Sequence, residues 1–149
     1  MAAPTSLKVP ALYVETSALM SALLEGNPSL REAFRTVPTR VTSRLTFTEA
    51  ARSLRRAVHT GRISAAQRLA LERQVRAFRA TCDVLELKES VFQCAEDAFP
   101  VEHVATLDAL HLASVLIYAR DVGPVAMASQ DERLRRNAVA LGFAVLPAM

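Results

Sequence analysis

The stretch "ALYVETSALMSALL" (residues 11–24) begins as a short apolar run and continues, after Thr16 and Ser17, with the spacing of a helix. Its only charged residue is Glu15. Burial removes the water that an ionised carboxylate needs, so an acid at the joint between a buried strand and a helix lowers stability unless another group compensates for it. The stretch therefore predicts a strand followed by a helix, and it makes Glu15 a candidate functional residue.

The same alternation of short apolar runs and helical segments continues along the chain. Further strands are predicted at 40–43, 82–87, 125–129 and 143–146. Strands that alternate with helices pair in parallel through right-handed crossovers. The pattern predicts a three-layer α/β sandwich with a central parallel sheet. Such sheets bind ligands beyond the carboxyl ends of their strands.

The helix boundaries carry recognisable capping patterns. Thr46 and Glu49 have the spacing of a capping box, as do Ser64 and Gln67, and Gly61 lies where a helix C-terminal glycine belongs. The segment after Thr106, which we predict as another cap, is nearly all apolar and is typical of a helix packed inside a domain. The predicted helices are 17–24, 29–37, 46–61, 64–80, 89–99, 106–120 and 131–142.

The composition is that of a globular protein, with 51% hydrophobic and 22% charged residues among 149. No repeat or Gly/Ser linker divides the chain, so we expect a single domain over 1–149. No apolar run reaches the roughly 18–20 residues that span a bilayer, and the first ten residues lack a signal-peptide pattern, so a soluble, cytoplasmic protein is expected. Cys82 and Cys94 support neither a disulfide framework nor a zinc site.

The net charge is +3, and 16 of the 18 basic residues are arginine. Eight arginines fall within 46–80, a density suited to a phosphate backbone. A solvated polar face explains them equally well. The same segments carry apolar residues that pack either on the core or on a partner.

Four acids are candidates for one shared site. Glu15 follows a predicted strand and caps nothing obvious, and Asp131 follows another strand. Glu49 and Asp131 also fit capping boxes, the latter between Ser129 and Glu132, while Asp108 suits the positive end of its helix dipole. If the four meet, their repulsion requires a cation, and Mg²⁺ and Mn²⁺ prefer carboxylate oxygens. Such a metal activates water and stabilises charge on a phosphodiester.

Four blocks of sequence carry a resemblance to a known family: "YVETSALMSALL", "SRLTFTEAARSLRR", "TLDALHLASVL" and "SQDERLRRNAVALGFAVL". They span residues 13–146, and the chain resembles the PIN-domain ribonucleases of the VapC-type toxin family. The resemblance implies a doubly wound α/β sandwich and an acidic site that binds one or two Mg²⁺ or Mn²⁺ ions for RNA hydrolysis. By position, Glu49, Asp108 and Asp131 match the family's acids, and Ser17 matches a small polar residue beside the metal. The resemblance also implies a small antitoxin partner and a homodimer.

Glu15 departs from the family pattern, which has Asp at this position. The extra methylene moves the carboxylate by about 1 Å, a displacement that can cost on the order of 10²-fold in rate. Glu15 either binds metal in a shifted geometry, or favours Mn²⁺, or damages activity. The main expectation is a metal-dependent endoribonuclease toxin that uses Glu15, Glu49, Asp108, Asp131 and Ser17.

Two alternatives remain open. One is a catalytically weakened PIN-like module that binds RNA or protein. The other is a small-ligand receiver domain. The sequence argues against it, because no lysine lies at the late position that such a site needs. His111, three residues after Asp108, either bonds that carboxylate or is a satisfied core histidine.

Overall fold

The computed structural model describes residues 9–148. The strands are β1 (Ala11–Val14), β2 (Thr39–Ser43), β3 (Asp83–Leu85), β4 (Ala126–Ala128) and β5 (Val145–Leu146). The helices are α1 (Thr16–Leu23), α2 (Pro28–Thr36), α3 (Arg44–His59), α4 (Ala65–Ala80), α5 (Glu89–Ala95), α6 (Thr106–Asp121) and α7 (Glu132–Ala140). All strand pairs are parallel, in the order β3-β2-β1-β4-β5. The predicted α/β sandwich with a central parallel sheet is confirmed.

Strand β1 lies at the centre of the sheet, and all of its residues are buried. A strand covered on both faces must be apolar throughout, which is why β1 reads as a continuous apolar run. Tyr13 belongs to the core cluster that includes Leu112 of α6. Leu12 belongs to the opposite cluster, with Leu19 of α1. The two clusters are the layers on either side of the sheet.

The strand order excludes the receiver alternative, because receiver-like domains follow the flavodoxin order 2-1-3-4-5. Here β1 pairs with β2 on one side and with β4 on the other. The chain therefore reverses its direction of winding between β1 and β4. A crevice forms at such a switch point, beyond the carboxyl ends of the strands.

Two predicted caps are wrong. Helix α3 begins two residues early, with Ser43 as the N-cap whose hydroxyl accepts from the Leu45 N–H at 3.1 Å. Thr46 is fully buried, and its hydroxyl bonds to that of Thr42 at 2.8 Å. Glu49 is thus not needed for capping. At α6, Ala105 is the N-cap, with no side-chain bond, and Thr106 is already helical.

The boundary predictions around Gly61 and Ser64 are confirmed, whereas α5 ends at Ala95, four residues before the predicted end at residue 99. Ser64 and Gln67 form a capping box at α4, and Gly61 has a φ of 73°, in the left-handed region that suits glycine after a helix. Helix α6 is buried over residues 109–115 and at Tyr118, as its apolar sequence predicts. Among residues 9–148, no helix is long and apolar enough to cross a membrane.

We expect Ser43→Ala to lower the free energy of unfolding by about 1 kcal/mol, because it removes the N-cap hydrogen bond of α3. Urea unfolding measures the change. Thr48→Ala is the matched control, since Thr48 is exposed on the same helix and its loss should cost less than about 0.5 kcal/mol. Equal effects of the two substitutions would show that Ser43 does not cap the helix.

Candidate metal centre

The crevice at the β1–β4 switch point opens into a cavity of about 740 Å³. All of the acids predicted from the sequence line it, together with Ser17: Glu15, Glu49, Asp108 and Asp131. They come from four separate segments, namely the β1–α1 joint, α3, α6 and the β4–α7 joint. The structure thus brings the predicted residues together at the expected edge of the sheet.

Glu15 is buried, with 5% of its surface exposed. Its Oε2 accepts hydrogen bonds from the Ser17 hydroxyl and from the Ser129 hydroxyl, the latter at 2.8 Å. Its backbone N–H donates to the Ala128 carbonyl at 3.0 Å, which continues the β1–β4 ladder by one residue. Although Glu15 occupies the N-cap position of α1, its side chain makes no capping bond, as the sequence indicated.

Glu49 extends from the second turn of α3 towards α6. Its Oε1 accepts from the Thr16 hydroxyl at 2.7 Å and from His111 Nε2 at 2.5 Å. Burial alone would raise the pKa of Glu49, but the hydrogen bond and charge of His111, together with the Thr16 hydroxyl, outweigh it and lower the pKa below its ordinary value. Glu49 is therefore a carboxylate at neutral pH.

Asp108 lies in the first turn of α6 and is partly exposed. Burial raises its pKa above the ordinary value, and the negative charges of Asp131, Glu15 and Glu49 raise it further. These charges act on Asp108 because the acids face the same cavity. The crowding of negative charges in the cavity therefore helps to raise the pKa of Asp108.

Asp131 is itself the N-cap of α7, and its Oδ1 accepts from the backbone N–H groups of Arg133 at 2.9 Å and Leu134 at 3.0 Å. The predicted capping box between Ser129 and Glu132 is wrong. The Ser129 hydroxyl instead accepts from the Asp131 N–H at 3.0 Å and donates to Glu15. Asp131 therefore combines a capping role with a place in the cavity wall.

The Ser17 hydroxyl lies at the edge of the acidic group. It donates to Glu15, accepts from the Gln130 N–H at 2.8 Å, and lies 3.2 Å from the Ser129 hydroxyl oxygen. Since a hydroxyl has one hydrogen to give, that hydrogen is committed to Glu15. Ser17 thus contacts the site through Glu15.

Sequence reasoning missed several polar partners of the acids. His111 bonds Glu49 and not Asp108, and its Nδ1 lies 2.8 Å from the Tyr13 hydroxyl. Neither the bond from Thr16 to Glu49 nor the bond from Ser129 to Glu15 was predicted. One signal was available: a tyrosine in a strand buried on both faces needs a hydrogen-bond partner for its hydroxyl.

The donor set fits a hard divalent cation. Glu15, Glu49 and Asp131 each use one carboxylate oxygen for hydrogen bonds, and within residues 9–148 no hydrogen bond reaches the other oxygen. In the same part of the chain, no lysine or arginine pairs with any of the four acids. Ligand atoms of Glu15, Glu49 and His111 lie within 4.8 Å of one another. Asp108 and Asp131 line the same cavity but are not part of this group of three. Carboxylate oxygens such as those of Glu15 and Glu49 are the ligands that Mg²⁺ and Mn²⁺ prefer.

The fold and site define an α/β domain with a cavity lined by four acids at the switch point of a parallel sheet. The family model for the PIN domain matches residues 12–140, and the chain belongs to this family. The family membership predicted from the sequence is confirmed. No curated protein matches the chain significantly in sequence.

Solved structures share the fold at low sequence identity. A toxin-antitoxin complex from Klebsiella pneumoniae has 14% identity and a TM-score of 0.61, over 91% of this chain and 95% of that chain. Mycobacterium tuberculosis VapC20, described as a toxin that cleaves the sarcin-ricin loop, has 16% identity and a TM-score of 0.63, over 89% and 96%. VapBC2 from Rickettsia felis, described in complex with a promoter DNA fragment, has 7% identity and a TM-score of 0.63, over 91% of this chain and 96% of that chain.

Repulsion among the acids should be measurable in the metal-free protein. We expect Asp108→Asn to raise the free energy of unfolding at pH 7 in EDTA by roughly 0.5 kcal/mol, the scale of partly exposed charge pairs. The native pKa of Asp108 is raised, so its destabilising effect is present above that pKa. It disappears as the pH falls below about 3.9, the ordinary value for aspartate. Urea unfolding at pH 7 and at low pH tests both points.

Asp97→Asn is the control for this measurement, because Asp97 is exposed and does not line the cavity. It should leave stability unchanged at both pH values. A loss of stability in Asp108→Asn at pH 7 would mean that the carboxylate is stabilised in the metal-free fold and not repelled.

Proposed function

We propose that this protein is a metal-dependent endoribonuclease and the toxin component of a type II toxin–antitoxin pair. The observation that carries the proposal is the convergence of four carboxylates in one cavity of a PIN domain, where no basic side chain of residues 9–148 other than His111 pairs with them. The similar folds of a toxin-antitoxin complex and of VapC20 support the toxin assignment.

In the proposed site, Glu15, Glu49, Asp108 and Asp131 hold Mg²⁺ or Mn²⁺. When bound, the metal supplies positive charge that offsets the phosphodiester and makes water a better nucleophile. The protein's contribution is a fixed set of oxygens. Hydroxyl groups hold Glu15, backbone N–H groups hold Asp131, and Thr16 and His111 hold Glu49. Groups that are already oriented require little reorganisation during the reaction.

The cavity also reaches arginines that would contact the RNA backbone. Its wall includes Arg56 of α3 and Arg62 of the α3–α4 turn, both exposed. Arg62 has only a loose ion pair with Glu25, at 3.9 Å, so its guanidinium is available to a phosphate. Phosphate contacts position the nucleic acid but do not read its sequence.

The α3–α4 hairpin uses its apolar side for the core. Leu71 and Val75 pack against the buried cluster that contains Leu54, and Phe78 contacts Phe34 with ring centroids 5.5 Å apart. Most arginines of the hairpin are exposed. We propose that this arginine-rich surface meets the RNA, the antitoxin or a second copy in a homodimer.

Glu15 is proposed as a true ligand in a geometry adapted to its length. The Ser17 and Ser129 hydroxyls both bond Oε2 as it stands, which leaves Oε1 for a cation. A shorter side chain would withdraw the carboxylate by about 1 Å and would lose at least one of these bonds. This arrangement favours an active site over the weakened binding module.

The first test is cleavage of total cellular RNA by the purified protein at fixed salt, with EDTA, Mg²⁺ or Mn²⁺. We expect cleavage with metal, none with EDTA, and a loss of at least about 10²-fold in Asp108→Asn, because the substitution removes one anionic ligand. Asp97→Asn should cleave like the natural protein, because Asp97 is exposed and does not line the cavity. RNA binding without cleavage under every metal condition would replace the nuclease proposal with the binding-module alternative.

A second test addresses Glu15. We expect Glu15→Asp to lower the cleavage rate by about 10- to 100-fold, because the carboxylate loses its reach to the serine hydroxyls. Ser129→Ala should lower the rate in the same direction and by less. A higher rate in Glu15→Asp would show instead that the glutamate impairs a site built for aspartate.

A further inference from the structure

A buried hydrogen-bonded chain links the central strand to the acidic cavity. The Tyr13 hydroxyl on β1 lies 2.8 Å from His111 Nδ1 on α6, and His111 Nε2 lies 2.5 Å from Glu49 Oε1 on α3. Tyr13 and His111 have 0% exposure. The two rings meet edge to face, with their centroids 6.0 Å apart. This series of hydrogen bonds therefore connects β1, α6 and α3 through side chains that have little freedom to move.

The direction of these bonds follows from the acceptor at the end. The ionised Glu49 has no hydrogen to give, so Nε2–H of His111 donates to it. In a neutral imidazole, Nδ1 then accepts, and the Tyr13 O–H donates to it. A tyrosine hydroxyl is protonated at neutral pH and can therefore donate this hydrogen bond.

Glu49 needs such support more than the other acids. It lies in the second turn of a helix, where no free backbone N–H is available to it, and a glutamate loses considerable rotamer freedom when it is fixed. Both of its hydrogen bonds, from Thr16 and from His111, end on Oε1. They leave Oε2 without a partner within residues 9–148. The carboxylate is thus held by one oxygen and free at the other.

We propose that His111 is a positioning residue that orients Glu49 for cation binding and that Tyr13 holds the His111 ring in place. The inference rests on the proposed metal site and deepens it. A satisfied core histidine would make the same two hydrogen bonds, but its loss would not change cation affinity beyond its effect on packing, and this difference is what the experiment measures. Direct ligation by His111 would require Nε2 to give up its bond to Glu49.

The experiment is titration of Mn²⁺ into the full-length protein by calorimetry, with thermal unfolding of each variant measured in parallel. His111→Leu should weaken Mn²⁺ binding about 10- to 100-fold, as is usual when a group that orients a metal ligand is lost. His111→Gln keeps an N–H donor near the position of Nε2 and should recover much of the affinity. Tyr13→Phe, which removes only the hydroxyl, should lose several-fold.

Two controls separate positioning from general packing. Val115→Ala disturbs the packing of the buried face of α6 without removing a hydrogen bond to Glu49, so it should lower the unfolding temperature but leave the Mn²⁺ affinity unchanged. In a Glu49→Gln background, His111→Leu should cause no further loss of affinity, because the two residues act as one unit. If His111→Leu does not fold, Tyr13→Phe and His111→Gln still test the proposal.

Three results would overturn the positioning role: unchanged Mn²⁺ affinity in a folded His111→Leu, an equal loss in Val115→Ala, or a further loss from His111→Leu in the Glu49→Gln background. A further loss in the Glu49→Gln background would show that His111 is itself a metal ligand. A natural protein that binds Mn²⁺ but cleaves no RNA removes the nuclease proposal while the affinity series still supports His111. A natural protein that does not bind Mn²⁺ removes both.

Discussion

Repulsion among four carboxylates at one edge of a parallel sheet is the constraint around which the polar interior is arranged. Charged groups in a partly buried cavity are costly unless hydrogen bonds or opposite charges compensate for them. The fold supplies hydroxyl, imidazole and backbone N–H donors to one oxygen of each of three acids. Within residues 9–148 the second oxygen of each has no donor, so the compensation is incomplete. Burial and the charges of Asp131 and Glu15 raise the pKa of Asp108.

The sheet topology determines where these groups meet. Glu15 and Ser129 are 114 positions apart, yet they are neighbours because β1 and β4 pair in parallel and end at the same edge. The β1–β2 pair ends there too, and the Thr42 hydroxyl donates to the Val14 carbonyl at 2.6 Å. Fully buried polar residues are concentrated near these strand ends. They satisfy one another and hold the edge in a single arrangement, which a metal site requires.

The sequence predicted the elements better than the contacts between them. The apolar run of β1 and the apolar helix α6 are local patterns, and they identify their elements without tertiary information. The acids were also recoverable, because Glu15 and Asp131 follow strands, Asp108 lies in the first turn of a helix, and Glu49 lies in a block that resembles the PIN-domain family. Thr46 and His111 show the limit. A capping box at Thr46 has ideal spacing, but the Thr46 hydroxyl bonds to the hydroxyl of Thr42 on the preceding strand. His111 bonds a carboxylate 62 positions away, a distance that no local pattern encodes.

Glu15 links the stability of the sheet to the chemistry of the site. Its backbone N–H extends the ladder between β1 and β4, and its carbonyl accepts from Ala18 and Leu19 at the start of α1. Its side chain then bonds Ser129 just past the end of β4. One residue therefore terminates a strand, begins a helix and ties two strands together across the switch point. A glutamate is long enough for one carboxylate oxygen to accept from Ser129 while the other oxygen remains available. This is a physical reason for a longer acid at a position where the family ordinarily has aspartate.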